Sequence, residues 1–371
     1  MRKTFKYRIN ANKGTLSKAD NWLRLCRNLY NCALEERITY YKQTKKSLSE
    51  FTQSHELVEL KKTFPEYKDV NAQTLKDVIR RIERAYQGFF RRIKNGEKAG
   101  FPRYKGKNRY NSFTLTVTNN PNGWKLSGKY LHIAKLGTFK MFYDRPIEGV
   151  IKTVTIQKSS TGLWYACFSC DNIPTKYLPI TNKEIGIDVG IKALVVDSNG
   201  KRIEHPKYLR NAEKLLRLRQ RRLSRRKKGS NRRNKARILV AKAHEHVHNQ
   251  RLDFLHKTAN YYIENYDKIY IEDLNIQGMV KNHHLAKSIN DSSWNMLFNL
   301  LSYKAEYAGR ILVKVNARNT TQLCSNCHEK VEKTLAVRTH NCPYCGLIMD
   351  RDENAAINIL RGEALPSGVN V

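Results

Sequence analysis

The segment that most constrains the fold is CSNC, a spacer, and CPYCG. Cys324/Cys327 and Cys342/Cys345 form two C-x-x-C pairs. Two thiol pairs at this spacing suit a tetrahedral four-thiolate zinc site, so this stretch is expected to fold as a ribbon around a metal. An acidic turn with Asp350 and Asp352 follows and runs into ENAAINIL. Asp352 stands at i, i+3, i+4 and i+7 with Ala355, Ala356 and Ile359, the narrow apolar stripe by which a short helix would pack. Asp350 does not share that face. A carboxylate aimed inward beside small alanines needs a partner, and a metal ion is the partner its chemistry favours.

Two other acids stand in apolar strands. EIGIDVG puts Ile185, Ile187 and Val189 on one face and Gly186, Asp188 and Gly190 on the other. The glycines leave room for something to approach Asp188 closely. An aspartate capping a turn at a strand end is the plain alternative. ALVVDSNGKRI then reads as a hairpin turning at Ser198-Asn199-Gly200. In KIYIEDLNI, Glu272 lies in a run apolar enough for a central strand, where a lone acid is costly unless paired or metal-bound. Asp273 has the opposite orientation. QGMVKNHHLAKSIN reads as a mobile segment beside that strand end, followed by a helix around Trp294 to Tyr307 and a strand, ILVKVN. The order strand, hairpin, helix, strand, helix, strand, helix predicts an α/β layer fold with ligands at strand ends. Asp188, Glu272 and Asp352 together are hard oxygen ligands, which select Mg²⁺ or Mn²⁺ over zinc. Two such ions roughly 3.5–4 Å apart can activate a water and stabilise the leaving oxygen of a phosphodiester. The ribbon precedes Asp352 directly, so it is placed to present nucleic acid to these acids.

Charge points to the same substrate. The chain carries 69 Lys+Arg against 33 Asp+Glu, a formal net charge of +36. Such an excess is self-repelling unless a polyanion neutralises it, and nucleic acid is the expected one. No apolar run approaches the roughly 20 residues of a membrane span, and no signal-peptide apolar core opens the chain. The expectation is a soluble, cytoplasmic protein with no membrane partner. Residues 201 to 250 hold 18 Lys+Arg opposed only by Glu204, Glu213 and Glu245. Helical patterns at Leu215 to Leu223 and Ile238 to Tyr262 flank KKGSNRRN, which predicts a basic helical hairpin. Its candidate nucleic-acid contacts are Arg221, Arg222, Arg225, Arg226, Arg232 and Arg233. His244 and His248 share a helix face without a carboxylate motif, so phosphate or solvent contact is favoured over a metal.

The first half of the chain differs. Residues 1 to 10 alternate Phe5, Tyr7 and Ile9 with basic residues, a strand with one wet face. From about Leu16 to Phe90 the period is helical, and Asn71 is a plausible cap for a helix with Leu75, Val78, Ile79, Ile82, Ala85, Tyr86 and Phe89 on one stripe. Arg80, Arg81, Arg84, Arg91 and Arg92 lie opposite. Charges of one sign favour a phosphate-facing surface over a merely solvated one. KAGFPRYKGKNRYNSFTLTV interleaves Phe101, Tyr104, Tyr110 and Phe113 with Arg103 and Lys105, a mixture suited to unstacked bases. An ordinary basic loop entering a strand has the same composition. From Ser112 to Asp171 short alternating strands predict a small β-barrel or sandwich, and residues 172 to 183 read as a linker. Cys26 and Cys32, on a helical pattern, are expected as buried thiols. Cys167 and Cys170, i and i+3 in a strand, point to opposite faces and read as structural.

These motifs carry a family resemblance. GIDVG, YIEDLNIQGM, the CSNC and CPYCG pairs, and DRDENAAINIL resemble the RuvC-like nuclease core of transposon-encoded TnpB proteins, a family similar to type V CRISPR effectors. KYRI, RNLYN at Arg27 to Asn31, and GFPRYKGKNRYNSF agree with it in order, so the resemblance covers nearly the whole chain. It implies a multidomain α+β protein. A β-barrel, wedge-like domain (1–12 and 98–182) would carry an inserted helical recognition domain (13–97). An α/β RNase H-like (RuvC) nuclease domain (183–318 and 347–362) would carry an inserted zinc ribbon (319–346), with a tail at 363–371. It implies an RNA-guided DNA endonuclease, prokaryotic and nucleoid-associated, that binds a guide RNA and cuts double-stranded target DNA beside a short flanking motif. Its expected form is a monomer on one RNA, with oligomers left open. The family's catalytic acids map onto Asp188, Glu272 and Asp352. The family ribbon usually has glycine after its first cysteine pair, where this chain has His328, which affects a turn and not the ligands. Arg338, in the spacer before Cys342, is a candidate for contacting the scissile phosphate, with a solvated arginine as the equal alternative. Two rivals stand beside this reading. A DNA-binding transposon accessory protein or regulator would need no inward acid triplet. A strand-transfer transposase would place its glutamate last in chain order, whereas Glu272 is in the middle.

Overall fold

The computed structural model describes residues 1–107, 109–116, 123–279, 283–334 and 337–362, in two compact units, Met1–Ile173 and Pro174–Val371. The proposed tail, 363–371, lies outside the described residues.

In the first unit β1 (Lys3–Asn10) follows the expected alternation, with Phe5, Tyr7 and Ile9 buried. Asn12 then caps α1 (Lys13–Thr44) by accepting the Thr15 N–H at 2.7 Å. The helical stretch contains two elements the periodicity did not separate: α2 (Glu50–Thr63), which starts at the Ser49 cap, and a short 3-10 turn at Pro65–Asp69. Asn71 caps α3 (Ala72–Lys94), as expected from the sequence, by accepting the Gln73 N–H. Six strands follow: β2 (Ser112–Thr116), β3 (Trp124–Ser127), β4 (Tyr130–Ile133), β5 (Gly137–Met141), β6 (Val150–Lys158) and β7 (Trp164–Asp171). With β1 they form one seven-stranded sheet, ordered β2-β6-β7-β1-β5-β4-β3. β1 runs antiparallel to β7 from Lys3↔Cys170 to Ile9↔Trp164, so the first residues of the chain are built into the centre of a sheet completed some 160 residues later. Cys170 is buried and Cys167 half-buried, on opposite faces of β7. On α1, Cys26 is buried but Cys32 is exposed, because six residues do not return to the same helix face.

The second unit begins with a stretch that the sequence marks as a linker but that is tied down. The carboxylate of Asp267 accepts the N–H groups of Thr181 and Asn182, and the buried Arg310 reaches both Asp267 and the Pro179 carbonyl. Then come β8 (Glu184–Val189), β9 (Ala193–Asp197), β10 (Arg202–Glu204), α4 (Tyr208–Ser224), α5 (Asn231–Asn265) and β11 (Lys268–Glu272). Two helices, α6 (Ile276–Met279) and α7 (His283–Ser292), occupy most of the segment expected to be mobile, of which 280–282 lie outside the described residues. α8 (Trp294–Ala308), β12 (Ile311–Val315), the hairpin β13 (Thr339–Asn341) and β14 (Ile348–Asp350), and α9 (Arg351–Arg361) complete the unit.

The main sheet is ordered β10-β9-β8-β11-β12. β8, β9 and β10 form an antiparallel meander, and β11 and β12 extend it in parallel to β8. Gly186 does not leave space for a ligand. A Cβ there would meet the Ala356 carbonyl oxygen at 2.1 Å and the Leu360 nitrogen at 2.6 Å. The glycine lets α9 lie directly on β8, a close approach that only a residue without a side chain permits.

Candidate metal centres and nucleic-acid surface

Because β8 and β11 are parallel neighbours in the middle of the sheet, Asp188 and Glu272 stand together at the C-terminal ends of their strands. Docking of α9 on β8 adds Asp352, in the first turn of that helix. The three acids are 7%, 8% and 7% exposed. Burial, then the charges of Glu272 and Asp352, raise the Asp188 carboxyl well above its usual range. Burial also raises Glu272, against a hydrogen bond from Thr320. Ala355, Ala356 and Ile359 are buried with Asp352, as the stripe predicts. Asp350 is the N-cap of α9: it accepts the N–H of Asp352 at 2.9 Å and pairs with Arg202 at 2.8 Å. Burial works against its charge, but Arg202 and the amides of Asp352 and Glu353 hold its carboxyl below the ordinary value.

Asp352 faces cations. Arg351 donates to its Oδ1 at 3.0 and 2.8 Å, and Arg338, half exposed, stands 3.7 Å from its Oδ2. Buried carboxylates that repel one another are the donor set a hard divalent cation fits. Their oxygens nonetheless spread more widely than the thiols, which are the one group of three or more such ligands within 4.8 Å of one another among the described residues.

Cys324 and Cys345 sulfurs lie 3.6 Å apart, and Cys327 and Cys342 sulfurs 3.4 Å. A tetrahedron with Zn–S near ~2.3 Å has edges of about 3.8 Å, so the four thiols fit zinc closely. The two knuckles match. His328 N–H donates to the Cys324 carbonyl at 3.0 Å, and Gly346 N–H donates to that of Cys342 at 3.0 Å. Both turn residues are left-handed, with φ of +63° and +73°, so His328 occupies a conformation that glycine would adopt without strain.

Sequence inspection missed the residues that join ribbon to acids. Thr320 donates to Glu272, Asn358 donates to the carbonyls of Thr320 and Leu323, and Asn354 bonds Leu323 and Ser325. ENAAINIL shows both asparagines four apart on a packing helix, a polar pair that signals a buried hydrogen-bonding role.

The candidate nucleic-acid residues divide. Phe113 is 1% exposed and packs on Trp22, and Tyr110 is 7% exposed beside Tyr30, so both are core residues rather than stacking platforms. The alternation of β2 turns Phe113 inward with Leu115. Arg81 is consumed by Asp77, the Ser112 carbonyl and the Thr114 hydroxyl. Arg233 donates to the carbonyls of Leu223 and Arg226 at the end of α4. Arg80 pairs with Glu50. Lys105 is anchored by its backbone to Asn31 of RNLYN. Arg84, Arg103, Arg221, Arg222, Arg225, Arg226 and Arg232 are exposed. Phe101 is 47% exposed against Tyr86 and Phe89, and Tyr104, 50% exposed, bonds Glu35.

Comparison with known proteins follows the same architecture. Family models match residues 167–283 ("Probable transposase"), 294–359 ("Cas12f1-like, TNB domain") and 1–46 ("Helix-turn-helix domain"), the last of which here forms β1 and the single helix α1. A Streptomyces pristinaespiralis protein named "Putative RNA-guided DNA endonuclease" is 32% identical over 97% of this chain and 89% of its own length. The chain belongs to the TnpB family. An Escherichia coli (strain K12) relative of the same description, InsQ, is 29% identical over 90% of this chain and 86% of its own. This TnpB-family chain also resembles a solved structure described as the mini-RNA-guided endonuclease CRISPR-Cas_phi3. The TM-score is 0.57 at 10% identity, over 99% of this chain and 93% of that one, a likeness of fold alone. Among the described residues no helix is long and apolar enough to cross a membrane.

Proposed function

We propose that this chain is an RNA-guided DNA endonuclease in which Asp188, Glu272 and Asp352 hold Mg²⁺ or Mn²⁺ for hydrolysis of a target phosphodiester. The observation that carries this is the convergence, at the C-terminal ends of two central strands, of three buried acids from distant parts of the sequence. The names of the Streptomyces and Escherichia relatives supply the guide RNA and the DNA substrate. A bound divalent ion would supply the activated water and stabilise the leaving oxygen. The protein's part is to hold two carboxylates at strand ends and the third at the start of α9, with Arg338, half exposed, within reach of a phosphate beside Asp352.

The four cysteines hold zinc and give the ribbon its fold. The ribbon presents target nucleic acid, and the RuvC-like domain (183–318 and 347–362) cuts it. The wedge-like domain and the helices inserted in it, with the basic α4–α5 hairpin, hold the guide RNA as a monomer. Guide pairing reads one DNA strand, while protein reads only a short flanking duplex. Sequencing the RNA that copurifies with the protein tests this: one dominant structured species is expected, and random cellular RNA would contradict it. EDTA should stop cleavage and added Mg²⁺ restore it.

A further inference from the structure

We propose that Thr320 is a positioning residue for Glu272, and that it couples the ribbon to the proposed cleavage site. The inference rests on Glu272 being a metal ligand. Glu272 ends β11, and its side chain has one more rotatable bond than the two aspartates beside it, so burial alone does not fix its carboxylate. The Thr320 hydroxyl donates to Oε1 at 2.5 Å. Held by one oxygen, Glu272 keeps Oε2 for a cation. Thr320 is 2% exposed and cannot be replaced there by water without opening the core.

Thr320 is itself held from two directions. Its carbonyl accepts Asn358 Nδ2 at 2.9 Å, and Asn358 also donates to the Leu323 carbonyl at 2.8 Å. One turn earlier, Asn354 Nδ2 donates to the Leu323 carbonyl at 2.7 Å and its Oδ1 accepts the Ser325 N–H at 2.9 Å. Asn354 and Asn358 lie on α9, the helix that carries Asp352. Ser325 lies inside the first cysteine pair. One helix therefore fixes Asp352 through its own first turn, Glu272 through Thr320, and the Cys324 knuckle through Ser325. Residue 320 therefore ties the Glu272 carboxylate, through its hydroxyl, to the helix that carries Asp352, through its carbonyl.

The test is Mn²⁺ binding, followed by electron paramagnetic resonance on the protein–RNA complex, for Thr320→Val, Thr320→Ser and Glu272→Gln. Thr320→Val should weaken Mn²⁺ binding and slow cleavage, each by about 10- to 100-fold, the worth of a hydrogen bond to a charged group. Thr320→Ser should restore both, and zinc content and RNA affinity should stay at wild-type levels. In a Glu272→Gln background, Thr320→Val should have no further effect on Mn²⁺ binding. Wild-type Mn²⁺ affinity in Thr320→Val overturns the proposal. If Thr320→Val purifies without zinc, Thr320→Ala against Thr320→Ser decides: weakened Ala with intact Ser supports the proposal, and equal behaviour overturns it. A Glu272→Gln protein that binds Mn²⁺ and cuts normally would instead overturn the functional reading on which the inference stands.

Discussion

The carboxylate of Asp350 accepts the backbone N–H of Asp352 at 2.9 Å, so one acid of the DRDEN turn builds the helix end that aims the other. The two have separate work despite standing two residues apart. Asp350→Ala should lose an N-cap and about 1 kcal/mol of stability, and Asp350→Asn, which can still cap, should lose less. Both should keep cleavage within a few-fold of wild type. Asp352→Ala should abolish it. Thermal melts with plasmid cleavage on the same preparations separate these outcomes, and the opposite pattern, inactive Asp350→Ala with active Asp352→Ala, would reverse the assignment.

Asp188→Ala and Glu272→Ala should likewise abolish cleavage while leaving RNA binding intact, if binding rests on the basic surfaces as proposed. A further consequence concerns stability. The raised Asp188 carboxyl marks a buried acid crowded by two others. In metal-free protein Asp188→Asn removes part of that repulsion and should raise the melting temperature, by a few degrees for each ~1 kcal/mol gained. Added Mg²⁺ should stabilise wild type and not the Asn variant. A lowered metal-free melting temperature in Asp188→Asn would show that the carboxylate is structurally paired instead.

The ribbon should carry one zinc per chain, held by Cys324, Cys327, Cys342 and Cys345. Elemental analysis of fresh protein checks the stoichiometry, and Cys342→Ser should lose the metal. His328 spends backbone strain at φ +63°, so His328→Gly should slow zinc loss to a chelator. Faster loss in His328→Gly would show that the imidazole's contacts outweigh that strain.

Positive charge on the hairpin is available where it is exposed. The paired change Arg221→Ala with Arg222→Ala should weaken RNA binding and reduce the slope of log affinity against log salt by roughly 1.4, at about 0.7 per single-strand phosphate contact. Arg233→Ala should act on hairpin stability, since its guanidinium closes the end of α4. Phe113→Ala should unfold the first unit, with a cost of ~3–5 kcal/mol, and a folded variant with reduced RNA affinity would return Phe113 to the binding surface.

Much of this was legible because it is local. The cysteine spacing, the Asp352 stripe, the Asn71 cap and the period-2 strands around Asp188 and Glu272 each follow from a few neighbouring residues. What was not legible depends on partners distant in sequence. Gly186 reads as space for a ligand until α9 arrives from 170 residues later to fill it. Composition favours Phe113 and Tyr110 as stacking residues, yet strand alternation and the α1 helix bury them. Thr320 looks like one polar residue among several in NTTQ, and its importance comes only from Glu272 across the loop.

The central claim, that a bound RNA directs this acid site to its target, is tested most directly by exchanging the guide. The protein is reconstituted with its copurifying RNA, in which only the guide segment is replaced, and supplied with two plasmids that match the old and the new guide. In Mg²⁺ the cut should move to the plasmid that matches the new guide, and the Asp188→Ala complex should cut neither. Cutting that ignores the exchange, or proceeds equally without RNA, would contradict the account and leave a metal-dependent nuclease without a guide.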